Sequence, residues 1–263
     1  MTYVSEICNF LEQYAPTRLA EDWDNVGLLL GDGERHAARI MTCLTVTPET
    51  MAEAVEQKAD LIVTHHPMPF RPLKRITNDT TVGRIVMALL ENRVAVYSPH
   101  TSFDSAENGI NQQLAKGLGV TAPVPLLPLE GDPEELGSGR VGKLDSKASL
   151  TTLIDRTKTF MQVNAVQFVG AEDTPIEKVA VACGSAGQFL QPAMQAGCDC
   201  LVTGETNFHT CLEAKANGIA LILPGHYASE RFALDVLASQ LQQAFPDANI
   251  WASTEESDPI NWA

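Results

Sequence analysis

The sequence predicts an α/β protein made of two similar halves, each a layered sheet flanked by helices. Three observations carry that expectation. Apolar stretches of strand length alternate with segments of helical periodicity. One strand, helix, strand passage returns in the second half almost without gaps. A segment rich in Pro, Gly and acidic residues, Pro123 to Gly142, lies between the two copies and breaks both periods.

The opening MTYVSEICNFLEQYAP places Val4, Ile7, Cys8 and Leu11 at helical spacing and predicts a first helix that stops by Pro16. Asp22, Trp23, Asp24 and Asn25 read as a capping or turn loop ahead of the apolar run Val26 to Leu30, with Trp23 expected in the core or an interface. From Arg39, RIMTCLTVTPETMAEAVEQKADLIVTHH reads as a strand, a helix with Met51, Ala54 and Val55 on one face, and a buried strand Leu61 to Val63. Such a unit closes as two parallel strands with a crossover helix. NRVAVYSPHTSFD then gives a strand, a Pro-containing turn and a helix over Ser105 to Lys116, marked by Ile110, Leu114 and Leu118, with Asp104 at its start as an N-cap or a ligand.

Past the connection, Leu150 to Phe160 predicts a helix and Ala165 to Val169 a strand. KVAVACGSAGQFLQPAMQAGCDCLVTGE repeats the first crossover unit, CDCLVT standing where ADLIVT stood. NGIALILPGHYASE repeats the strand and turn, Pro224 matching Pro99, and Ala233, Val236, Leu237 and Leu241 mark a last helix. The expected halves are 1–125 and 126–263, with functional loops at the carboxyl ends of parallel strands.

A formal charge of -15, from 18 basic and 33 acidic residues, repels phosphate backbones and anionic lipid surfaces, so neither direct nucleic-acid nor membrane binding is expected. A small anionic substrate stays compatible, because metal ions in a cleft reverse the sign locally. The start lacks a basic n-region and the longest apolar runs, such as Ile219 to Leu223, are far too short for a bilayer, so a soluble cytoplasmic protein is expected. Six cysteines without paired spacing then read as reduced thiols, Cys198 and Cys200 sharing one strand face.

Chemistry-bearing residues cluster at strand ends. His65 and His66 follow an apolar strand and precede Pro67; neighbouring strand residues point to opposite faces, so both reach one cleft only where the strand bends or ends. His226 and Glu230, four apart at a helix start, project from one face and form a chelating pair or a solvated polar pair. Gly184 and Gly187 sit between strand and helix, as a tight turn or an anion cradle. His100, Glu205, His209 and Tyr227 adjoin these motifs as candidate hydrogen-bonding or proton-transfer groups.

Together DWDNVGLLLGD, VTHHP, HTSFD, ACGSAG, DCLVTGE with His209, and PGHYASE resemble the signatures of the Nif-three-like proteins, often labelled GTP cyclohydrolase 1 type 2 homologues. The resemblance covers almost the whole chain and corresponds to the short form, without an inserted middle domain. It implies a dinuclear divalent-metal centre on His65, His66, Asp104, His226 and Glu230, and a homohexameric ring with inward-facing sites. In ETNFHT relatives often carry a histidine pair, whereas here His209 stands alone. Three imidazoles and two carboxylates suit Zn, Fe, Mn or Co better than Mg or Ca and leave positions for water, so hydrolysis of a small substrate, a nucleotide among the candidates, is the expected activity. The label itself implies opening of the guanine imidazole ring of GTP. The alternatives are a phosphoesterase or amide hydrolase of another metabolite, and a non-enzymatic metal-binding or scaffolding protein.

Overall fold

The structure of the chain is a computed structural model that describes residues 1–261. In chain order the first elements are α1 (Val4–Tyr14), β1 (Gly27–Leu30), β2 (Arg39–Cys43), α2 (Pro48–Glu56), β3 (Leu61–Thr64), α3 (Thr81–Glu91), β4 (Ala95–Ser98) and the short α4 (His100–Ser105). They continue with α5 (Ile110–Gly117), β5 (Val120–Val124), β6 (Leu127–Pro128), β7 (Gly137–Ser138), β8 (Arg140–Ser149), α6 (Leu150–Met161) and β9 (Gln167–Val169). The remainder is β10 (Pro175–Ser185), α7 (Leu190–Gln195), β11 (Cys200–Glu205), α8 (Phe208–Asn217), β12 (Ala220–Leu223), α9 (His226–Glu230), α10 (Phe232–Ala244) and β13 (Asn249–Ala252).

Two compact units result, one of Met1–Phe103 with Ala233–Pro259, the other centred on Asp104–Phe232. The first holds a five-stranded sheet in the order β1-β4-β3-β2-β13, with β4, β3, β2 and β13 parallel. The second holds a six-stranded sheet, β5-β8-β10-β11-β12-β9, in which β10, β11 and β12 are parallel. This division differs from halves meeting near residue 125. The reason lies at the carboxyl end: β13 pairs with β2 in the register Asn249 to Arg39, and Thr42 donates its hydroxyl to the carbonyl of Leu234 on α10, so this last segment packs with the first sheet.

Within each unit the same three-strand plan recurs, β2-α2-β3-α3-β4 and β10-α7-β11-α8-β12. Matching residues do matching work. Asp60, just before β3, accepts the amides of Ala38 and Arg39 at 2.8 and 3.0 Å; Asp199, just before β11, accepts those of Glu177 and Lys178, both at 2.8 Å. Thr64 closes β3 by donating to the Leu44 carbonyl, as Thr203 in β11 donates to that of Gly184. These bonds are what the shared pattern ADLIVT and CDCLVT encodes. Side-chain caps start the helices: Thr47 and Thr50 cap α2 reciprocally around Pro48, Thr80 caps α3, and Asn207 caps α8.

Both sheets bury apolar material where the sequence alternates or runs apolar. Met41, Ile62, Leu89 and Val96 belong to the core of the first unit, and Ala180, Leu190, Leu201 and Leu221 to that of the second. The segment 123–142 is more than a connection. It carries the β6–β7 hairpin and opens β8 at Arg140, whose fully buried guanidinium donates to the carbonyls of Ser105, Ala106, Gly137 and Gly139 and to Gln112. No helix among the described residues is long and apolar enough to cross a membrane.

Candidate functional site

In the first unit β3 ends at Thr64, so His65 and His66 lie beyond the strand, their amides donating to the carbonyls of Cys43 and Leu44 at 3.0 and 2.8 Å. The ladder therefore no longer forces the two imidazoles to opposite faces. His100, the first residue of α4, joins them: one ring nitrogen from each of the three lies within 4.8 Å of the others. His65 is buried, His66 and His100 half-buried. The Ser98 hydroxyl donates to the His65 carbonyl at 2.6 Å, and Thr45 Oγ1 contacts His66 Nδ1 at 2.7 Å.

Asp24 fixes His100. Its Oδ1 lies 2.6 Å from His100 Nδ1, and its Oδ2 accepts the amide of Thr101 at 3.1 Å and the Thr101 hydroxyl. Burial pushes the Asp24 carboxyl up, but these bonds together with the His100 charge and the Asn25 amide outweigh it and hold the group at about 2. His100 has φ of +29°, a backbone region that a side chain with Cβ rarely occupies and that persists only where surrounding bonds impose it. The Asp22 to Asn25 loop is thus an anchor for an imidazole. Trp23 does not enter the core but is 62% exposed, its ring edge-on to His100 and Phe70.

In the second unit α9 presents His226 and Glu230 one turn apart, with His226 Nε2 and Glu230 Oε2 separated by 3.1 Å. Glu205, at the end of β11, meets the other ring nitrogen, Nδ1, at 3.0 Å. Glu230 first, and Glu205 behind it, push His226 up to about 9 against the opposing effect of burial. This histidine therefore holds a proton at neutral pH, which a cation taken up by the imidazole would have to displace.

The loop closing β10 explains ACGSAG. Gly184 has φ of +65°, and a Cβ there would stand 2.3 Å from Glu230 Oε1, so only glycine leaves that carboxylate its place. Its amide donates to Ser229 Oγ at 2.9 Å, and that hydroxyl donates to the His226 carbonyl at 2.7 Å. Beside it the buried thiol of Cys183 donates to Asp104 Oδ1 at 3.1 Å; burial, then the nearby Asp104 and Glu230 charges, raise its pKa well above the ordinary range. Asn111 closes the frame, accepting the Cys183 amide at 2.7 Å and donating to the Asp104 carbonyl at 3.1 Å.

Asp104 does not cap a helix over 105–116. It lies inside α4, four residues after His100, and α5 begins afresh at Ile110 after the Asn108-Gly109 turn. Both short helices, α4 after β4 and α9 after β12, therefore begin with histidine and carry a carboxylate one turn later. Among the sequence-based candidates, the structure groups His65 and His66 with His100, pairs His226 with Glu230 and Glu205, and sets Asp104 on Cys183. His209 is exposed on α8, edge-on to Phe208, and belongs to no metal-competent group among the described residues.

These features define a class: an α/β protein whose repeated strand ends carry imidazole and carboxylate clusters competent to hold a metal ion. The pattern of the family described as Duf34/NIF3 (NGG1p interacting factor 3) matches residues 2–259, and the chain belongs to that family. It is 36% identical to a GTP cyclohydrolase 1 type 2 homolog of Clostridium acetobutylicum over 92% of this chain and 90% of the relative. It is 34% identical to the NIF3-like protein 1 of Drosophila melanogaster over 95% and 86%. A Bacillus cereus protein related to NIF3 has the same fold, with a TM-score of 0.92 at 22% identity over 100% and 99% of the two chains.

Proposed function

We propose that the chain binds two divalent metal ions through His65, His66, Asp104, His226 and Glu230 and acts as a metal-dependent hydrolase of a small molecule. One observation carries the reading: each repeat of the three-strand plan ends in a histidine–carboxylate helix, and the first adds an imidazole pair at the end of its middle strand. The donor set fits. Mixed nitrogen and oxygen donors of this kind favour Zn, Fe, Mn or Co over Mg or Ca. When bound, such ions supply Lewis acidity and acidified water, the chemistry that hydrolysis requires.

The chain's own residues prepare that chemistry. Thr45, Glu205, Cys183 and Ser98 hold the ligand side chains or their backbones, as the partners of metal ligands commonly do. Asp24 and His100 form a carboxylate–imidazole pair at the first cluster, suited to hold or pass a proton. The names of the bacterial relatives make nucleotides the first substrates to test. A homohexamer is part of the proposal, with a mass near six times 28.4 kDa by light scattering.

The test is elemental analysis after reconstitution at neutral pH, with turnover screened on nucleotides, phosphoesters and amides and His66→Ala as control. About two ions per chain, with product formation lost to chelator and restored by metal, are the expected results. Absence of bound metal sinks the reading. Tight metal retention without turnover on any substrate favours the non-enzymatic alternative, which the family's description as an interacting factor keeps in view.

A further inference from the structure

We infer that the loop after His66 and the loop bearing Trp23 form a binding surface for a planar aromatic or heteroaromatic compound that carries an anionic group. The inference deepens the hydrolase reading by naming how its substrate is held, and it rests on that reading only for the role of the surface, not for its existence.

Two large aromatic side chains stay out of the core here, Trp23 at 62% and Phe70 at 42% exposure. Their rings stand edge-on to each other and to His100, with centroids 6.0 to 6.2 Å apart, beside the three-imidazole cluster. The exposure is imposed by what flanks the indole. Asp24 is bonded to His100 and Thr101, Glu21 donates its amide to Thr101 Oγ1 at 3.0 Å, and Asn25 Nδ2 donates to the Pro69 carbonyl at 2.8 Å. Both loops are thereby tied together while the ring between the ties is held outward. A rigid exposed indole offers a face on which a flat ring stacks with little loss of side-chain entropy.

Charge identifies the rest of the ligand. In a chain of formal charge -15, Arg71, Lys74 and Arg75 follow Phe70 within five residues, all exposed, with no acidic residue among them. None of the three has a hydrogen-bonding or ion-pair partner among the described residues. Lys143 and Lys147, by contrast, both pair with Glu177. An unpaired basic run beside an aromatic platform suits a phosphate or carboxylate attached to the stacked ring. The overall acidity disfavours a polyanion in that place and leaves a small anion as the fitting ligand.

Calorimetry with adenosine 5′-monophosphate, adenosine and ribose 5-phosphate separates ring from anion, on metal-loaded and on chelator-treated protein. The nucleotide is expected to bind at least about ten-fold more tightly than either fragment, and to weaken as salt rises. Trp23→Ala should lower nucleotide affinity about ten-fold, to that of ribose 5-phosphate, while Trp23→Phe restores most of it. The joint change Arg71→Ala, Lys74→Ala and Arg75→Ala should lower it to that of adenosine. Metal content and melting temperature should stay unchanged in all variants. Nucleotide affinity unaffected by both sets of changes overturns the inference. So does a Trp23→Ala protein with unaltered nucleotide binding and a changed mass by light scattering, which assigns the surface to contact between copies. Failure of the metal reading shows itself separately, as wild-type protein that takes up no metal yet gives the same three-ligand pattern.

Discussion

A cysteine buried beside two carboxylates is an unusual choice unless its hydrogen is needed. Cys183 gives that hydrogen to Asp104, and the burial and neighbouring negative charge that raise its pKa keep it a donor. If Asp104 is a ligand, Cys183→Val should lower metal affinity about ten-fold, Cys183→Ser should retain most of it, and neither should move the metal-free melting temperature by more than a few degrees. Calorimetric titration of the reconstituting metal checks this; equal affinities in the three proteins remove Cys183 from the site. Asp24 gives a pH-dependent counterpart. Its folded pKa of about 2 lies below the ordinary aspartate value of about 3.9, so its stabilisation is complete above pH ~4 and disappears as pH falls through ~2. The melting temperature of the wild type should exceed that of Asp24→Asn most at neutral pH, and the gap should close between pH ~4 and ~2. A gap that is constant with pH contradicts the assignment. Neither partnership was legible in the sequence, because Asp24 and His100 are 76 positions apart and Cys183 and Asp104 are 79 apart. His65 with His66, and His226 with Glu230, could be read because adjacency and helical spacing are local.

At the scale of elements, the strand, helix, strand repeats were visible because buried parallel strands write themselves as apolar runs and Asp60 and Asp199 recur before them. The helix carrying Asp104 was not. Periodicity from Ile110 onward was continuous with the acidic residue, but Asn108-Gly109 breaks the chain into α4 and α5. The break matters for function, since it makes Asp104 an interior residue of a short helix one turn after His100, in the manner of Glu230 after His226. Two readings of these carboxylates then differ measurably. As ligands, Glu230→Gln and Asp104→Asn remove charge that neutralises dications, and metal affinity should fall by roughly ten-fold or more; Glu230→Gln should also lower metal-free stability at neutral pH, because it removes the carboxylate that keeps His226 protonated. As structural partners only, both changes should leave metal affinity as it is, whatever they do to metal-free stability. Thermal melts and titrations in both conditions decide, and unchanged affinity in both variants ends the dinuclear reading.

At the scale of the whole molecule, the carboxyl-terminal segment is bound to the amino-terminal half of the chain through two carboxylates. Glu53 on α2 accepts Trp251 Nε1 and the amide of Thr254 at 3.1 Å, the amide of Glu255 at 3.2 Å, and the Ser253 hydroxyl, bonds that hold its pKa down despite burial. So anchored, Glu256 reaches the loop after β2 and accepts the amides of Leu44 and Thr45 at 2.9 and 2.7 Å. Thr45 is the residue whose hydroxyl meets His66 Nδ1. Glu256 is therefore a positioning residue for an imidazole far from it in the sequence, a relation no local pattern contains. Its effect should appear as metal-linked stability. Metal at 100 times its dissociation constant stabilises a folded protein by about 2.7 kcal/mol, which for a chain of this length raises the melting temperature by roughly 5 to 10 °C. His66→Ala, which removes a proposed ligand, should abolish much of that rise. Glu256→Ala should reduce it while leaving the number of bound ions unchanged, because the ligand remains and only its orientation is released; Glu256→Gln, which keeps one acceptor for the two amides, should fall between. Scanning calorimetry with and without metal, paired with elemental analysis of each variant, separates the three outcomes. A Glu256→Ala protein with the full metal-induced rise means that Thr45 holds His66 without help from the carboxyl-terminal segment.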